Sequence, residues 1–438
     1  MYPYSLLIAL ECNHRRLDQS LLTYESLLHQ TIQSIMRIHF LLLCLLSSGL
    51  LLNAQDSRDT TLLIDSKAFG VERKVHVHLP ERYLNRPEET FMVVYALDAQ
   101  SERYWNMAKG NVTYLVDNFQ VLPMIIVGIH HDNRGQELVP APSDTTANKN
   151  GKGRAHLLQQ HLQEEVFPLI EARYRVSDKR AVVGHSRGGA FITHTLFSDQ
   201  RDMFDAYIGI SPAMYYWENQ VLEEAAEELA AQPKFSKFLF CTHGTVGNYE
   251  TSFSKQVAQL DSLIKRYPNA SLVWKTMELE GTTHWTVVAP SWNQGLMELT
   301  RQFTVDLYLL QKFAANEGLR LRQQAEEYLA VQEALLGWSV PLRASDLNYY
   351  AGEFKGMGMM DRAQECYEWA LRLDPDNFQV YANTAYFNKQ QGRKVESLRY
   401  FQTALLLLEK QKDSLDERRY TDSKEWIEEE IAELEGGE

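Results

Sequence analysis

The sequence predicts an α/β domain built on a mostly parallel central sheet, followed by an all-helical region. Two observations carry this prediction. Between about Thr60 and Leu310, short β-rich runs alternate with amphipathic stretches. After Leu310 the strand signals stop, and Glu, Gln, Leu, Ala, Arg and Tyr dominate to the end of the chain. The change in composition divides the chain into residues 55–310 and residues 311–438.

Short hydrophobic runs mark the strands of the predicted sheet. In chain order they are Phe91–Ala96, Met124–Ile129, 180–183, 207–210, 238–242 and 272–279. Helical spacing of apolar residues predicts helices over 155–174 and 188–198. Strands that alternate with helices favour parallel pairing, so we expect a mostly parallel sheet of six or more strands.

The composition excludes several classes of function. The chain of 438 residues carries 44 Lys and Arg against 58 Asp and Glu, a net charge of −14, which disfavours nucleic acid as a partner. The four cysteines are Cys12, Cys44, Cys241 and Cys366, without CxxC or Cys/His spacing. We therefore expect no disulfide framework, no structural metal and no cofactor.

One long apolar run has the parts of a secretory signal peptide. Residues 38–52 follow a short positive start and end near a small residue, Ala54. The run is too short for a comfortable membrane span. We expect 36–54 to be a signal peptide, 1–35 to lie upstream of the true start, and the mature protein to be periplasmic or secreted with no stable membrane span. An ordinary N-terminal helix is the alternative.

The C-terminal region contains an internal repeat of 34 residues, the tetratricopeptide period. The residues that superpose are Ala351 with Ala385, Gly358 with Gly392, Tyr367 with Phe401, Ala370 with Ala404 and Leu371 with Leu405. Residues 346–408 therefore resemble a tetratricopeptide tail of two repeats, with flanking helices expected on both sides. Such a tail is a candidate surface for a protein partner.

The segment Gly184-His185-Ser186-Arg187-Gly188 has the G-x-S-x-G spacing of a nucleophile elbow. A predicted strand precedes it and a predicted helix follows it, as a sharp strand-turn-helix requires. Gly184 and Gly188 lack the β-carbon that would collide where strand and helix crowd together. Ser186 is therefore the candidate nucleophile, since the turn exposes its hydroxyl above the sheet.

A serine nucleophile needs a base, and this architecture places it downstream of the serine. His284 lies in a loop just after the last predicted strand, from which its imidazole can reach back over Ser186. His243, at the end of the preceding strand, is the competitor.

Several segments together resemble the putative esterase family, which holds enterochelin esterases, feruloyl esterases and relatives of S-formylglutathione hydrolase on an α/β-hydrolase fold. They are 97–100, 127–129 with Arg134, 137–140, 165–171 with Tyr174 and Arg175, 184–189, 210–212 and 281–284. The resemblance runs through most of 60–310 in the right order. It implies Ser186 as nucleophile and His284 as base.

The resemblance also implies a carboxylate and oxyanion donors. The first carboxylate after the strand that ends at Thr242 is Glu250, our candidate for the acid; without it the site is a Ser/His dyad. For the oxyanion donors we expect the backbone N–H of Arg187 and one from the loop after Ala96, at Ala99 or at Asp98. The family commonly has glycine where Ala99 stands.

Aromatic residues in the loops above the sheet are candidates for a substrate pocket. They are Trp105, Tyr215, Trp217 and Trp285, with Tyr104 and Tyr216 beside them. Ordinary packing is the alternative for each. The run His130-His131-Asp132 has no third ligand at metal spacing, so we interpret it as a polar active-site loop.

The function predicted from these residues is that of an exported serine esterase, which hydrolyses carboxylic esters through an acyl-enzyme on Ser186. Siderophore esters, feruloyl or acetyl groups on polysaccharide, and simple acyl esters are the candidate substrates. Two alternatives remain. One is a catalytically inert interaction protein with a partner-binding tail, and the other is an acyltransferase that uses the same nucleophile.

Overall fold

The computed structural model describes residues 58–142 and 153–436. The chain divides into two units, Met1–Arg58 and Asp59–Glu438. The interpretations of 1–35 and of the signal peptide 36–54 lie outside the described residues. Among the described helices, none combines the length and the apolar character that a membrane span requires.

The centre of the molecule is an eight-stranded sheet in the order β1-β2-β4-β3-β5-β6-β7-β8. The strands are β1 (Asp59–Ser66), β2 (Val71–His78), β3 (Phe91–Ala96), β4 (Met124–Ile129), β5 (Val176–His185), β6 (Ala206–Ile210), β7 (Lys237–Val246) and β8 (Leu272–Thr283). Strands β1, β2 and β4 pair antiparallel, and the remaining pairs are parallel. The mostly parallel sheet is confirmed, and the hairpin of β1 and β2 adds an antiparallel edge that the sequence interpretation did not place.

Helices cover both faces of this sheet. They are α1 (Glu81–Asn85), α2 (Glu102–Asp117), α3 (Arg134–Glu137), α4 (Ala155–His161), α5 (Phe167–Arg173), α6 (Arg187–Leu196), α7 (Tyr216–Ala231), α8 (Asn248–Arg266) and α9 (Val288–Phe303). Helices α4 to α8 share one buried cluster with the sheet, and α2 and α9 share the other. Strand β3 shows the division, because Val93 and Tyr95 face the first cluster and Val94 and Ala96 the second. Every residue of β3 is buried, which explains its unbroken hydrophobic run.

The helix expected over 155–174 is interrupted. A π-helical turn, Leu162–Val166, separates α4 from α5, and the Phe167 N–H bonds to the Leu162 carbonyl five residues back. Pro168 follows directly. Its ring would collide with the carbonyl four residues earlier in a regular α-helix, and it has no N–H to donate, so the wider turn relieves both conflicts.

The C-terminal region is helical, as predicted. Its helices are α10 (Leu307–Ala314), α11 (Leu321–Leu336), α12 (Ala344–Gly356), α13 (Met360–Leu373), α14 (Phe378–Gln390), α15 (Lys394–Lys410) and α16 (Glu417–Gly436). The end of α11 packs on the sheet region, where Leu336 joins the α2/α9 cluster and the Trp338 ring lies 4.7 Å from that of Phe303. The Tyr349 ring stacks on Phe119 at 5.2 Å.

Candidate active site

Ser186 occupies a strained turn between β5 and α6. Its backbone has φ 60° and ψ −112°, a region that costs a non-glycine residue free energy. Three backbone hydrogen bonds hold it there. Its N–H donates to the Ile210 carbonyl at 2.9 Å, and its own carbonyl accepts from Ala190 at 3.1 Å and Ala213 at 3.0 Å. The hydroxyl is thereby fixed at the carboxyl end of β5.

The two elbow glycines have different roles. A β-carbon on Gly184 would lie 2.4 Å from the Gly188 backbone, so no side chain fits there. A β-carbon on Gly188 would make only ordinary contacts, 3.5 Å from Leu97. The expectation of a collision at both positions is therefore wrong for Gly188. The second close approach is at Gly189, where a β-carbon would lie 2.7 Å from Pro212.

His284 and Glu250 are directly hydrogen bonded. Strand β8 ends at Thr283, and the next residue, His284, places its Nδ1 2.7 Å from Glu250 Oε1. An ionised carboxylate only accepts hydrogen bonds, so Nδ1 carries the proton and Nε2 is left with its lone pair. This is the tautomer that a general base requires.

Glu250 is fully buried in the first turn of α8, and both of its carboxylate oxygens accept hydrogen bonds. Its Oε2 accepts from the Ser211 hydroxyl at 2.9 Å and from the Gly244 N–H at 2.5 Å. Burial raises the pKa of the Glu250 carboxyl, but the hydrogen bonds from His284, Gly244 and Ser211 together outweigh it, so the net pKa lies below the ordinary value. The carboxylate is ionised at neutral pH.

His185 links the elbow to the His284 loop. Its Nε2 donates to the His284 main-chain carbonyl at 3.0 Å, and the two imidazole rings lie 4.4 Å apart. Burial, and then the charge of His284, lower the pKa of His185 to about 3, so it stays neutral. Because His185 precedes Ser186, these contacts bring Ser186 and His284 to the same rim of the sheet. The competitor His243 faces Glu278 instead, at 4.0 Å.

The Ser186 hydroxyl itself forms no hydrogen bond with any described residue. Catalytic hydrogen bonds are often long in the absence of substrate and shorten when it binds.

One of the two expected oxyanion donors is already occupied. The Ala99 N–H donates to the Ile129 carbonyl at 3.0 Å, so Ala99 has no proton to offer and that expectation is wrong. Arg187 is the first residue of α6, where an N–H has no partner within the helix and the helix dipole favours negative charge. Asp98, the alternative to Ala99, has φ 67°, and its N–H has no acceptor among the described residues.

The candidate pocket residues divide into two groups. Tyr215 and Trp285 are 45% and 75% exposed and belong to an aromatic rim around His284. The Trp285 ring lies 5.4 Å from His284, and Tyr215 stacks on Phe253, whose ring is 5.0 Å from the same imidazole. Tyr249, which the sequence interpretation missed, lies 5.3 Å from His284.

The other two tryptophans are structural. Trp105 is 7% exposed, belongs to the α2/α9 cluster and stacks on His76, so it packs the core and does not line an open pocket. Trp217 donates its indole N–H to the Pro140 carbonyl at 2.7 Å and thereby ties the start of α7 to the loop after α3.

The loop 130–137 forms an ionic network with Arg73, in which Glu137 and His131 are buried and Asp132 is exposed. The Arg73 guanidinium bonds Asp132 at 3.0 Å and Glu137, and the His131 Nδ1 lies 3.3 Å from Glu137. Within the described ranges, no group of three or more His, Cys, Asp or Glu side chains is arranged to hold a metal.

Comparison with known proteins places the chain among esterases. Residues 66–294, more than half of the chain, match the model of the family described as Putative esterase. The chain belongs to this family. The chain is 26% identical over 166 residues to the ferri-bacillibactin esterase BesA of Bacillus subtilis, and the alignment covers 33% of this chain and 55% of BesA. It is 29% identical over 135 residues to the siderophore enterobactin esterase of Emericella nidulans, covering 30% of this chain and 44% of the relative. The chain thus spans about half the length of these curated relatives.

Solved structures of esterase-like proteins share the fold. The IroE-like serine hydrolase of Shewanella oneidensis superposes with a TM-score of 0.58 at 21% identity, over 72% of this chain and 99% of that one. The siderophore hydrolase EstB of Aspergillus nidulans does so with a TM-score of 0.50 at 21% identity, over 57% and 96%. At these identities the likeness is one of fold.

Proposed function

We propose that the protein is a serine esterase that hydrolyses carboxylic esters through an acyl-enzyme on Ser186. The observation that carries the proposal is the hydrogen bond from His284 to the buried Glu250, formed beside a serine in an elbow turn. A buried carboxylate, an imidazole whose Nδ1 is bonded to it and a serine hydroxyl in an elbow turn are the parts that acyl transfer needs.

The reaction follows from the placement of the protons. Ser186 Oγ attacks the ester carbonyl while His284 Nε2 takes its proton, and Glu250 stabilises the imidazolium that forms. The oxyanion accepts hydrogen bonds from the backbone N–H groups of Arg187 and Asp98. The imidazolium then protonates the leaving alkoxide, and the acyl group stays on Ser186. Water gives a proton to His284 as it attacks the acyl-enzyme. The bond between the acyl group and Ser186 Oγ then breaks, His284 returns the proton to Oγ, and the carboxylic acid leaves.

We infer that the substrate is an ester with planar aromatic groups and negative charge, as a siderophore ester is. The aromatic rim of Tyr215, Tyr249 and Trp285 offers faces for ring stacking. The guanidinium of Arg187, which directly follows Ser186 in the chain, donates its Nε–H to the Tyr216 hydroxyl at 2.7 Å, and both matched relatives are siderophore esterases by name. Feruloyl esters share the aromatic ring with less charge, and simple acyl esters share neither.

Two further parts of the proposal concern the rest of the chain. We propose export, with cleavage of the signal peptide 36–54 before Gln55, and N-terminal sequencing of the exported protein tests it. We also propose a tetratricopeptide-like tail over 311–438 that binds a protein partner. Its support is the 34-residue shift, which superposes the first residues of α12 and α13 on those of α14 and α15. The shift also pairs buried alanines, Ala351 with Ala385 and Ala370 with Ala404.

The deciding experiment combines labelling with turnover. A fluorophosphonate should add one phosphonyl group to Ser186, located by peptide mass, and Ser186→Ala should abolish both labelling and ester hydrolysis. Ser254→Ala, which alters a half-buried serine of α8, is the matched control and should keep full activity. Labelling without hydrolysis of siderophore, feruloyl or nitrophenyl esters would contradict the esterase proposal. Ester formation with alcohol acceptors in excess of hydrolysis would favour an acyltransferase.

A further inference from the structure

The backbone at Asp98 is held in an unusual conformation at the nucleophile. Asp98 follows β3, where the Leu97 N–H still bonds the Val183 carbonyl, and then adopts φ 67°, which glycine tolerates far better than other residues. Its carboxylate oxygen lies 3.7 Å from the point where a β-carbon of Gly188 would sit. The strained residue is therefore beside the elbow, and its N–H is without an acceptor among the described residues.

A bidentate ion pair with Arg134 holds the side chain of Asp98 in place. Arg134 Nε donates to Asp98 Oδ1 at 2.7 Å, and Arg134 Nη2 donates to Oδ2 at 2.8 Å. The Gln100 amide donates to Oδ1 at 3.1 Å. Asp98 is 7% exposed, so this carboxylate depends on these donors in place of water. Planar bidentate pairing restricts the orientation of the carboxylate as well as its distance.

The short helix that carries Arg134 is held by hydrogen bonds to its neighbours. Arg134 opens this helix, α3, and Glu137 at the other end of α3 is buried against the Arg73 guanidinium and accepts the Asn133 N–H at 2.9 Å. The Gln100 side chain accepts the His131 N–H at 3.1 Å, which ties the Asp98 turn to the same loop. The backbone that carries Arg134 and the turn that carries Asp98 are therefore held to the same loop.

We propose that Arg134 is a positioning residue, which sets the Asp98 N–H as oxyanion donor and cancels the charge of the Asp98 carboxylate. This inference rests on the proposed esterase function. A strained turn relaxes unless its surroundings hold it, and a donor that has moved no longer meets the oxyanion. A bare carboxylate beside the oxyanion would also repel the charge that develops in the transition state. Both effects act in the transition state far more than on the neutral bound ester.

The test is a double-mutant cycle with Arg134→Gln, Asp98→Asn and the double variant, assayed on p-nitrophenyl acetate, which is neutral. Loss of one oxyanion donor costs about 10²-fold or more in kcat, so Arg134→Gln should lose about 10²-fold in kcat with KM changed by less than about threefold. Asp98→Asn removes the charge and weakens the clamp, and should lose about 10-fold. The double variant should be faster than Arg134→Gln alone, because it has no unpaired carboxylate. Arg134→Lys keeps the positive charge but cannot form the bidentate hydrogen bonds, so its kcat should lie between those of wild type and Arg134→Gln.

Arg343→Gln is the matched control. Arg343 pairs Asp346 with the same fork, at 2.7 Å and 2.7 Å, and lies in the C-terminal region. It should match Arg134→Gln in loss of melting temperature but keep wild-type kcat. An Arg134→Gln variant with raised KM and unchanged kcat would overturn the proposal and make Arg134 a substrate contact. A double variant as slow as the product of the single losses would also overturn it. If the wild-type protein does not hydrolyse esters, the esterase proposal itself fails. The labelling of Ser186 tests that proposal independently of the Arg134 variants.

Discussion

Replacing Glu250 by glutamine should disable the base while the fold stays intact. Glu250 Oε2 accepts from Ser211 and from the Gly244 N–H, and these two donors will hold the carbonyl oxygen of a glutamine in that place. The amide NH₂ must then face His284 Nδ1, which Oε1 now bonds at 2.7 Å. An NH₂ donor forces Nδ1 to accept, so the imidazole proton moves to Nε2 and the base can no longer take the serine proton.

The expected magnitude follows from this change of tautomer. A comparable exchange in a serine protease triad lowers kcat by about 10⁴, so we expect a loss of about 10³ to 10⁴ in kcat, or about 4 to 5.5 kcal/mol of transition-state stabilisation. KM for a nitrophenyl ester should change little, because Glu250 is buried and does not face the substrate.

The assay is steady-state hydrolysis of the same ester by wild type, Glu250→Gln and Glu224→Gln. The last is a matched control, since Glu224 bonds His194 Nδ1 at 2.6 Å in a partly buried pair outside the site. A Glu250→Gln variant that keeps more than about a tenth of wild-type kcat would refute the triad and favour a Ser/His dyad.

Three further predictions concern the elbow and its support. Gly184→Ala should lose more than about 10²-fold in kcat because its methyl group meets the Gly188 backbone, whereas Gly110→Ala, in open space on α2, should keep kcat and gain up to about 1 kcal/mol of stability. His185→Leu removes the donor to the His284 carbonyl and should lower kcat about 10-fold with KM nearly constant; unchanged kcat would contradict the positioning role. Burial raises the pKa of Glu137, but hydrogen bonds from His131, Arg73 and Asn133 outweigh it and bring the pKa from 4.5 down to about 2. Ionised Glu137 therefore adds about 3 kcal/mol to the free energy of unfolding above pH 4.5. This contribution is lost as the pH falls towards 2. Urea unfolding of wild type and Glu137→Gln should therefore differ at pH 7 and converge near pH 2.5, and an equal difference at both pH values would contradict this reasoning.

The buried strands were predictable because both their faces are covered. All six predicted strands occur, and Met124–Ile129 has the predicted bounds, since a strand buried on both sides is apolar at every position. The hairpin of β1 and β2 was missed because only one of its faces is covered, so Val71–His78 has three charged or histidine residues exposed or half-buried among its eight. Such an alternation is easily taken for a polar loop.

The site was predictable where a local pattern determines it, and less so where distant strands do. The elbow at Ser186 is a five-residue motif, and His284 follows from the order of elements. The occupied N–H of Ala99 depends on a hydrogen bond to Ile129, thirty residues away, and no local pattern reveals it. The buried position of Trp105 likewise depends on the bare face of Gly128, where a β-carbon would lie 2.8 Å from the indole.

The packing of Trp338 against Phe303 has a practical consequence for anyone who trims this chain. A cut after residue 310, where the composition changes, would strip Leu336 and Trp338 from α9 and remove the Val340 N–H that bonds the Phe303 carbonyl at 2.5 Å. The fragment 55–310 would then expose an apolar patch on α9 and would be prone to aggregation. A cut just beyond Val340 keeps those contacts but uncovers Leu310 and Leu321, which share a buried cluster with Leu347 and Phe354 of α12. Neither cut therefore separates the sheet region from the helical region without exposing apolar side chains.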